Sequence, residues 1–116
     1  DGNLIPFFIS PKLYIMNTTT KILPLGKVLF TRGVNILLSQ NPSFSQLVMN
    51  SLARHKNCDW GDLCQDDKHA NNEALEINGR LVSSYKISLE DIPHSNLWII
   101  TEWDRSVTTI LFPSEY

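Results

Sequence analysis

The last third of the chain constrains the fold most. Arg80 to Ser88 (RLVSSYKIS), Leu97 to Trp103 (LWIITEW) and Val107 to Phe112 (VTTILF) are rich in β-branched and aromatic residues, the composition of strands. The second and third runs are separated by Asp104, Arg105 and Ser106 alone. A join that short fits a hairpin and excludes a parallel crossover. The first and second are linked by a polar stretch containing Pro93. Strands in sequence with short joins predict an antiparallel meander. Leu97, Ile99 and Thr101 alternate with Trp98, Ile100 and Glu102. Both faces of that strand are therefore apolar over part of its length, which predicts a central or doubly covered strand.

The segment before the meander reads as helical. Leu25 to Thr31 suits a short strand, with Val28 and Phe30 on one face. Thr31 is then placed to cap a helix to about Gln40, with Val34, Leu37 and Leu38 on its apolar side. Asn41-Pro42 ends it, because the residue before proline avoids the helical region. Ser43 and Gln46 match a capping box, and Phe44, Leu47, Val48 and Leu52 recur at helical spacing up to about His55 or Lys56. Residues 57–66 form a loop; Gln65 or Asp66 opens a third helix to about Asn78, with Ala70, Ala74 and Ile77 as a thin apolar stripe. Gly79 would close it. Helices first and strands last predict an α+β fold. In it, about three N-terminal helices pack on a C-terminal three- to four-stranded antiparallel sheet.

A length of 116 residues fits one domain with a modest core. Residues 1–15 (DGNLIPFFISPKLYI) are apolar, with two prolines. They lack the basic start and small-residue cleavage site of a signal peptide. The expectation is an N-terminal extension or non-native segment there, with one α+β domain over residues 16–116 beginning near Met16. The alternative is an added edge strand built on Phe7, Phe8 and Ile9. Ten basic and twelve acidic residues give a formal charge of −2, too balanced for bulk attraction to phosphate, so a nucleic-acid partner is not favoured. No apolar run nears the ~20 residues of a membrane span, so no membrane is expected. Cys58 and Cys64 are too few for a disulfide framework and read as reduced thiols, which points to the cytoplasm.

Two groups of strings carry a family resemblance. One is Leu52-Ala53-Arg54-His55, Asp59-Trp60-Gly61-Asp62-Leu63, Asp67-Lys68 and Asn71-Asn72-Glu73-Ala74-Leu75. The other is Leu97-Trp98-Ile99-Ile100-Thr101-Glu102, Asp104-Arg105-Ser106-Val107-Thr108-Thr109-Ile110-Leu111 and Pro113-Ser114-Glu115-Tyr116. Over residues 22–116 the chain resembles a family of small bacterial proteins of plasmids and other mobile elements. Its members are labelled "plasmid-related protein" or "type I restriction endonuclease subunit M". The resemblance implies an association with mobile DNA; it brings no catalytic residue set. The chain has neither the Asn/Asp-Pro-Pro-Tyr/Phe loop nor the glycine-rich cofactor loop of a modification subunit. The restriction label therefore implies no methyl transfer here.

Asp59, Asp62, Asp66 and Asp67 make residues 59–67 the most unusual segment. Clustered carboxylates suit hard cations, but the spacing is not that of an EF-hand. The preferred reading has Asp59 and Asp62 organising a turn and Asp66 or Asp67 capping the next helix. Trp60 then anchors the loop; an exposed Trp60 at a partner interface is the alternative. His55, Cys58, Cys64 and His69 do not have the spacing of a standard zinc site. Neither a metal nor a cofactor is expected. Glu102, Asp104 and Arg105 read as a solvated hairpin end, with acid–base or phosphate chemistry as the alternative. Trp98 and Trp103 read as sheet packing.

Two functions follow. The first is a non-enzymatic accessory module of a mobile element that binds an unidentified protein partner through Asp59, Trp60, Asp62, Glu102, Asp104 and Arg105. The second is a small metal-dependent hydrolase or nuclease, which requires the Asp59/Asp62 loop and the Glu102/Asp104 hairpin to converge. An open sheet edge could also pair two copies of the chain.

Overall fold

The computed structural model describes residues 22–116. The expected boundary near Met16, and the extension or edge strand before it, lie outside the described residues. The element order is β1 (Lys27–Phe30), α1 (Arg32–Gln40), α2 (Pro42–Lys56), α3 (Gln65–Ile77), β2 (Leu81–Lys86), β3 (Asn96–Thr101), β4 (Val107–Leu111) and a closing 3₁₀ turn (Pro113–Glu115). The fold is α+β, with the helices ahead of the meander. The sheet order is β1-β4-β3-β2. β2, β3 and β4 pair antiparallel, while β1 pairs parallel to β4 with Lys27 opposite Val107. The sheet is thus mixed, not wholly antiparallel as expected. The reason is topological: the three helices lie between β1 and the meander, so β1 returns to the sheet edge by a long crossover.

Alternation along the strands sorts the core. Tyr85, Leu97, Ile99 and Ile110 face Val34 of α1 and Phe44 and Val48 of α2, and all are buried together with Phe112. The opposite face carries Val82, Trp98, Ile100 and Leu111; β3, apolar on both faces, is central as expected. α3 lies along the β2 edge. Its Ala74 joins Leu23, Trp60 and Leu81 in a second cluster. The expected stripe of α3 is corrected: Asn71 and Ala74 are its buried residues, and Ile77 is 76% exposed. A helix on a sheet edge meets backbone polar groups, and an asparagine satisfies them where an alanine could not.

The helix ends also differ from the simplest sequence signals. Thr31 stands before α1, but its hydroxyl donates to the Glu115 carboxylate at 2.5 Å, and Gly33 N–H donates to the same carboxylate at 2.9 Å. A residue from the far end of the chain thus caps α1. At α2 the cap is Asn41, whose side chain accepts from Phe44 N–H at 2.9 Å, and Pro42 takes the first helical position. The expected capping box of Ser43 and Gln46 is thus replaced by a single asparagine cap two residues earlier, and the Gln46 side chain donates to Asn50 instead. α3 closes on Asn78 itself, which takes the left-handed conformation at φ 54°.

Candidate interaction surface

The loop between α2 and α3 is built to seal the free edge of β2. Trp60 C=O accepts from Ser84 N–H at 3.3 Å, and Asp62 N–H donates to Ser84 C=O at 2.7 Å. Gly61 sits between them at φ 76°, and a Cβ on it would lie 2.0 Å from the Ser84 carbonyl oxygen. Glycine is required there by both backbone angle and space. Asp62 extends the seal, its carboxylate accepting from Lys86 N–H at 2.8 Å. Asn71 completes it from α3, donating to Val82 C=O at 2.7 Å and accepting from Val82 N–H at 3.3 Å.

The acidic loop is therefore a structural device. Asp59 accepts from Gly61 N–H and pairs with the Arg54 guanidinium at 2.7 Å. That hydrogen bond holds its carboxyl below the usual aspartate range. Trp60 is 4% exposed and donates from its indole N–H to Asn72 at 3.0 Å. Trp60 anchors the loop and presents no surface to a partner. Asp66 and Asp67 fall in the first turn of α3, after Cys64 at the cap position.

Beneath Trp60 lies a network that the sequence did not reveal. His55 is fully buried, with Nδ1 2.6 Å from the Ser83 hydroxyl and Nε2 2.8 Å from the Thr101 hydroxyl. Thr101 lies 2.8 Å from Thr108, and the Thr108 hydroxyl donates to Leu25 C=O at 2.7 Å. Counting protons fixes the directions. Thr108 has spent its proton on Leu25, so Thr101 donates to Thr108 and accepts from Nε2–H. Nδ1 then accepts from Ser83. The imidazole is neutral, and burial pushes its pKa down to about 4. The network ties α2 to β2, β3, β4 and the segment before β1. His55 is no part of a zinc set: no group of three or more His, Cys, Asp or Glu side chains among the described residues is arranged to hold a metal ion.

The β3–β4 hairpin forms the other candidate segment. Arg105 N–H donates to Glu102 C=O at 2.9 Å, closing a turn over Trp103 and Asp104, and Arg105 follows in the left-handed region at φ 61°. This is a type I turn with a left-handed residue behind it, a common hairpin connection. The loop therefore begins before Trp103, whereas the sequence placed that tryptophan in the strand. Trp103 is not sheet packing: it stands on the turn, 64% exposed. Asp104 accepts from the Ser106 hydroxyl and N–H at 2.6 and 3.1 Å, which lowers its pKa. Arg105 reaches across to donate to Gly79 C=O at 2.6 Å and Ala74 C=O at 3.3 Å. A cation at these carbonyls offsets the negative end of α3, which has no basic residue in its own last turn.

The two carboxylate segments do not converge. Glu102 pairs with Arg80 at 3.5 Å, beside the start of β2, while Asp62 holds Lys86 at its other end. A strand of that length separates them by roughly 20 Å at ~3.3 Å per residue. The hydrolase reading lacks its constellation.

Two concavities border these segments. A cleft of about 560 Å³ between α3 and the second sheet face is lined by Asp67, Asn71, Arg80, Ser84 and Trp98 among others. Its polar groups are largely spent within the fold: Asn71 on Val82, Arg80 on Glu102 and Tyr116, Ser84 on Asn96. A smaller depression of about 220 Å³ is lined by Ile22, Pro24, Leu75, Asn78 and Arg105 among others. The chain matches no family model, no curated protein and no solved structure. The functional reading therefore rests on the surfaces themselves. Among the described residues, no helix is long and apolar enough to cross a membrane.

Proposed function

We propose that the domain is a non-enzymatic binding module that captures a protein partner through the hairpin end of the molecule. The observation that carries this is Trp103, 64% exposed on a turn that Arg105 pins to α3. Ile22, 60% exposed, lines the small depression together with Arg105, and Ile77, 76% exposed, is the last residue of α3, the helix end to which Arg105 is bound. An exposed tryptophan on a pinned turn, flanked in sequence by Glu102 and Asp104 and two residues from the Arg105 that lines the apolar depression, has the character of an interface hot spot. Of the six residues expected at the interface, Glu102, Asp104 and Arg105 stay in this proposal, and Trp103 and Ile77 join them. Asp59, Trp60 and Asp62 leave it, because their side chains hold the loop and the β2 edge.

Membership of the plasmid-related family belongs to the same proposal, supported by the strings over residues 52–75 and 97–116. It would make the partner part of a defence or maintenance system of the host or mobile element. A cytoplasmic setting is consistent with the exposed thiol of Cys64. The test is capture of partners by the full chain and by Trp103→Ser. The variant changes an exposed turn residue and should shift stability by no more than ~0.5 kcal/mol. A lost partner in a folded variant supports the interface, and equal capture refutes it.

A further inference from the structure

The two edges of the sheet are treated differently. The β2 edge is closed over its length: Val82 by the Asn71 side chain, Ser84 by the Trp60 and Asp62 backbone, Lys86 by the Asp62 carboxylate. At the other edge, Lys27 and Thr31 donate to Ser106 and Ile110 of the β4 side. Strand alternation turns Leu29 to β4 as well and leaves the N–H and C=O of Val28 and Phe30 pointing outward. These groups have no hydrogen-bond partner among the described residues. Leu29 is 43% and Phe30 40% exposed, and the strand has no proline to blunt it.

We infer that this edge pairs with the β1 edge of a second copy of the chain, antiparallel, about a two-fold axis at Leu29. The outward groups are symmetric about that residue. Val28 of one copy would exchange N–H···O=C bonds with Phe30 of the other, and the reverse, so the axis generates four bonds from one strand of four residues. Leu29 meets its own symmetry mate as a non-hydrogen-bonded pair, the closer of the two antiparallel spacings. The charges also complement themselves. In this register Lys27 faces Thr31 of the second copy, whose hydroxyl is held at 2.5 Å by the Glu115 carboxylate. Lys27 makes no ion pair among the described residues. The product is a continuous eight-stranded sheet, twice the four strands of one chain. This inference stands apart from the hairpin interface, and either can fail without the other.

The test uses the full chain. Sedimentation equilibrium should give twice the chain mass. Leu29→Glu, which sets two carboxylates against each other on the axis, should raise the dissociation constant at least tenfold while the circular dichroism spectrum is unchanged. In a Cys64→Ser background, Leu29→Cys should form an intermolecular disulfide under mild oxidation far faster than Val28→Cys, since only residue 29 meets itself. A wild-type chain that is monomeric at its highest soluble concentration overturns the inference, whether the edge stays open or is taken by the chain's own first 21 residues. A dimer indifferent to Leu29→Glu, or one that cross-links equally through position 28, overturns it too.

Discussion

The buried histidine gives the sharpest prediction about stability. His55 is neutral inside the fold, with a pKa pushed from 6.5 down to about 4 by burial. In the unfolded chain it titrates near 6.5. Between about pH 4 and 6.5 the unfolded chain therefore binds a proton that the folded chain refuses. Stability rises with pH through that window, is complete above it, and is lost as the pH falls. A difference of 2.5 between 6.5 and about 4, at ~1.4 kcal/mol per unit, amounts to about 3 kcal/mol by pH 4. That is a large share of the ~5–15 kcal/mol typical of a domain. The assay is urea unfolding at pH 7.0, 6.0, 5.0 and 4.5, for the wild type and for His55→Gln. The glutamine variant should be less stable at pH 7, having lost the fitted contacts with Ser83 and Thr101. It should also lose the histidine part of the pH slope, so the gap to wild type narrows on acidification. Parallel slopes for the two proteins would refute the reasoning, as would an imidazole resonance of His55 that titrates near 6.5.

Other perturbations probe the devices that shape the surface. Gly61→Ala places a methyl against the Ser84 carbonyl at positive φ and should cost at least ~2 kcal/mol, read as a fall in the urea midpoint. Asn71→Ala leaves the Val82 N–H and C=O without their side-chain partner; a loss of about 2 kcal/mol is expected, together with faster hydrogen exchange at Val82. Arg105→Ala removes the bonds to Ala74 and Gly79 and should cost about 1–2 kcal/mol, with fraying at the end of α3 visible in amide exchange.

The meander was legible because its signals are local: β-branched runs, short joins and a hairpin too tight for any other connection. α1 and α2 were legible from periodicity, with Phe44 and Val48 in the core as expected. The parallel docking of β1 was not, since nothing in Leu25 to Thr31 states which strand it will meet. The same holds for Glu115, which caps a helix more than eighty residues away. The turn-organising role of Asp59 and Asp62 could be read from residue type and position. The burial of His55 and Asn71 could not, because a polar residue inside is defined by partners on distant strands. Trp103 was misplaced because its hydrophobicity outweighed the turn chemistry of Asp104 and Ser106 beside it.

The central claim is that Trp103 presents the binding surface, and one measurement tests it most directly. The full chain and Trp103→Ser, each verified as folded, are compared for capture of partners from native lysate, with quantitative mass spectrometry as the readout. The account predicts a stoichiometric protein partner held by the wild type and weakened at least ~30-fold in the variant, the ~2 kcal/mol of an interface hot spot. A partner retained equally by both, or a folded wild type that captures none, would contradict it.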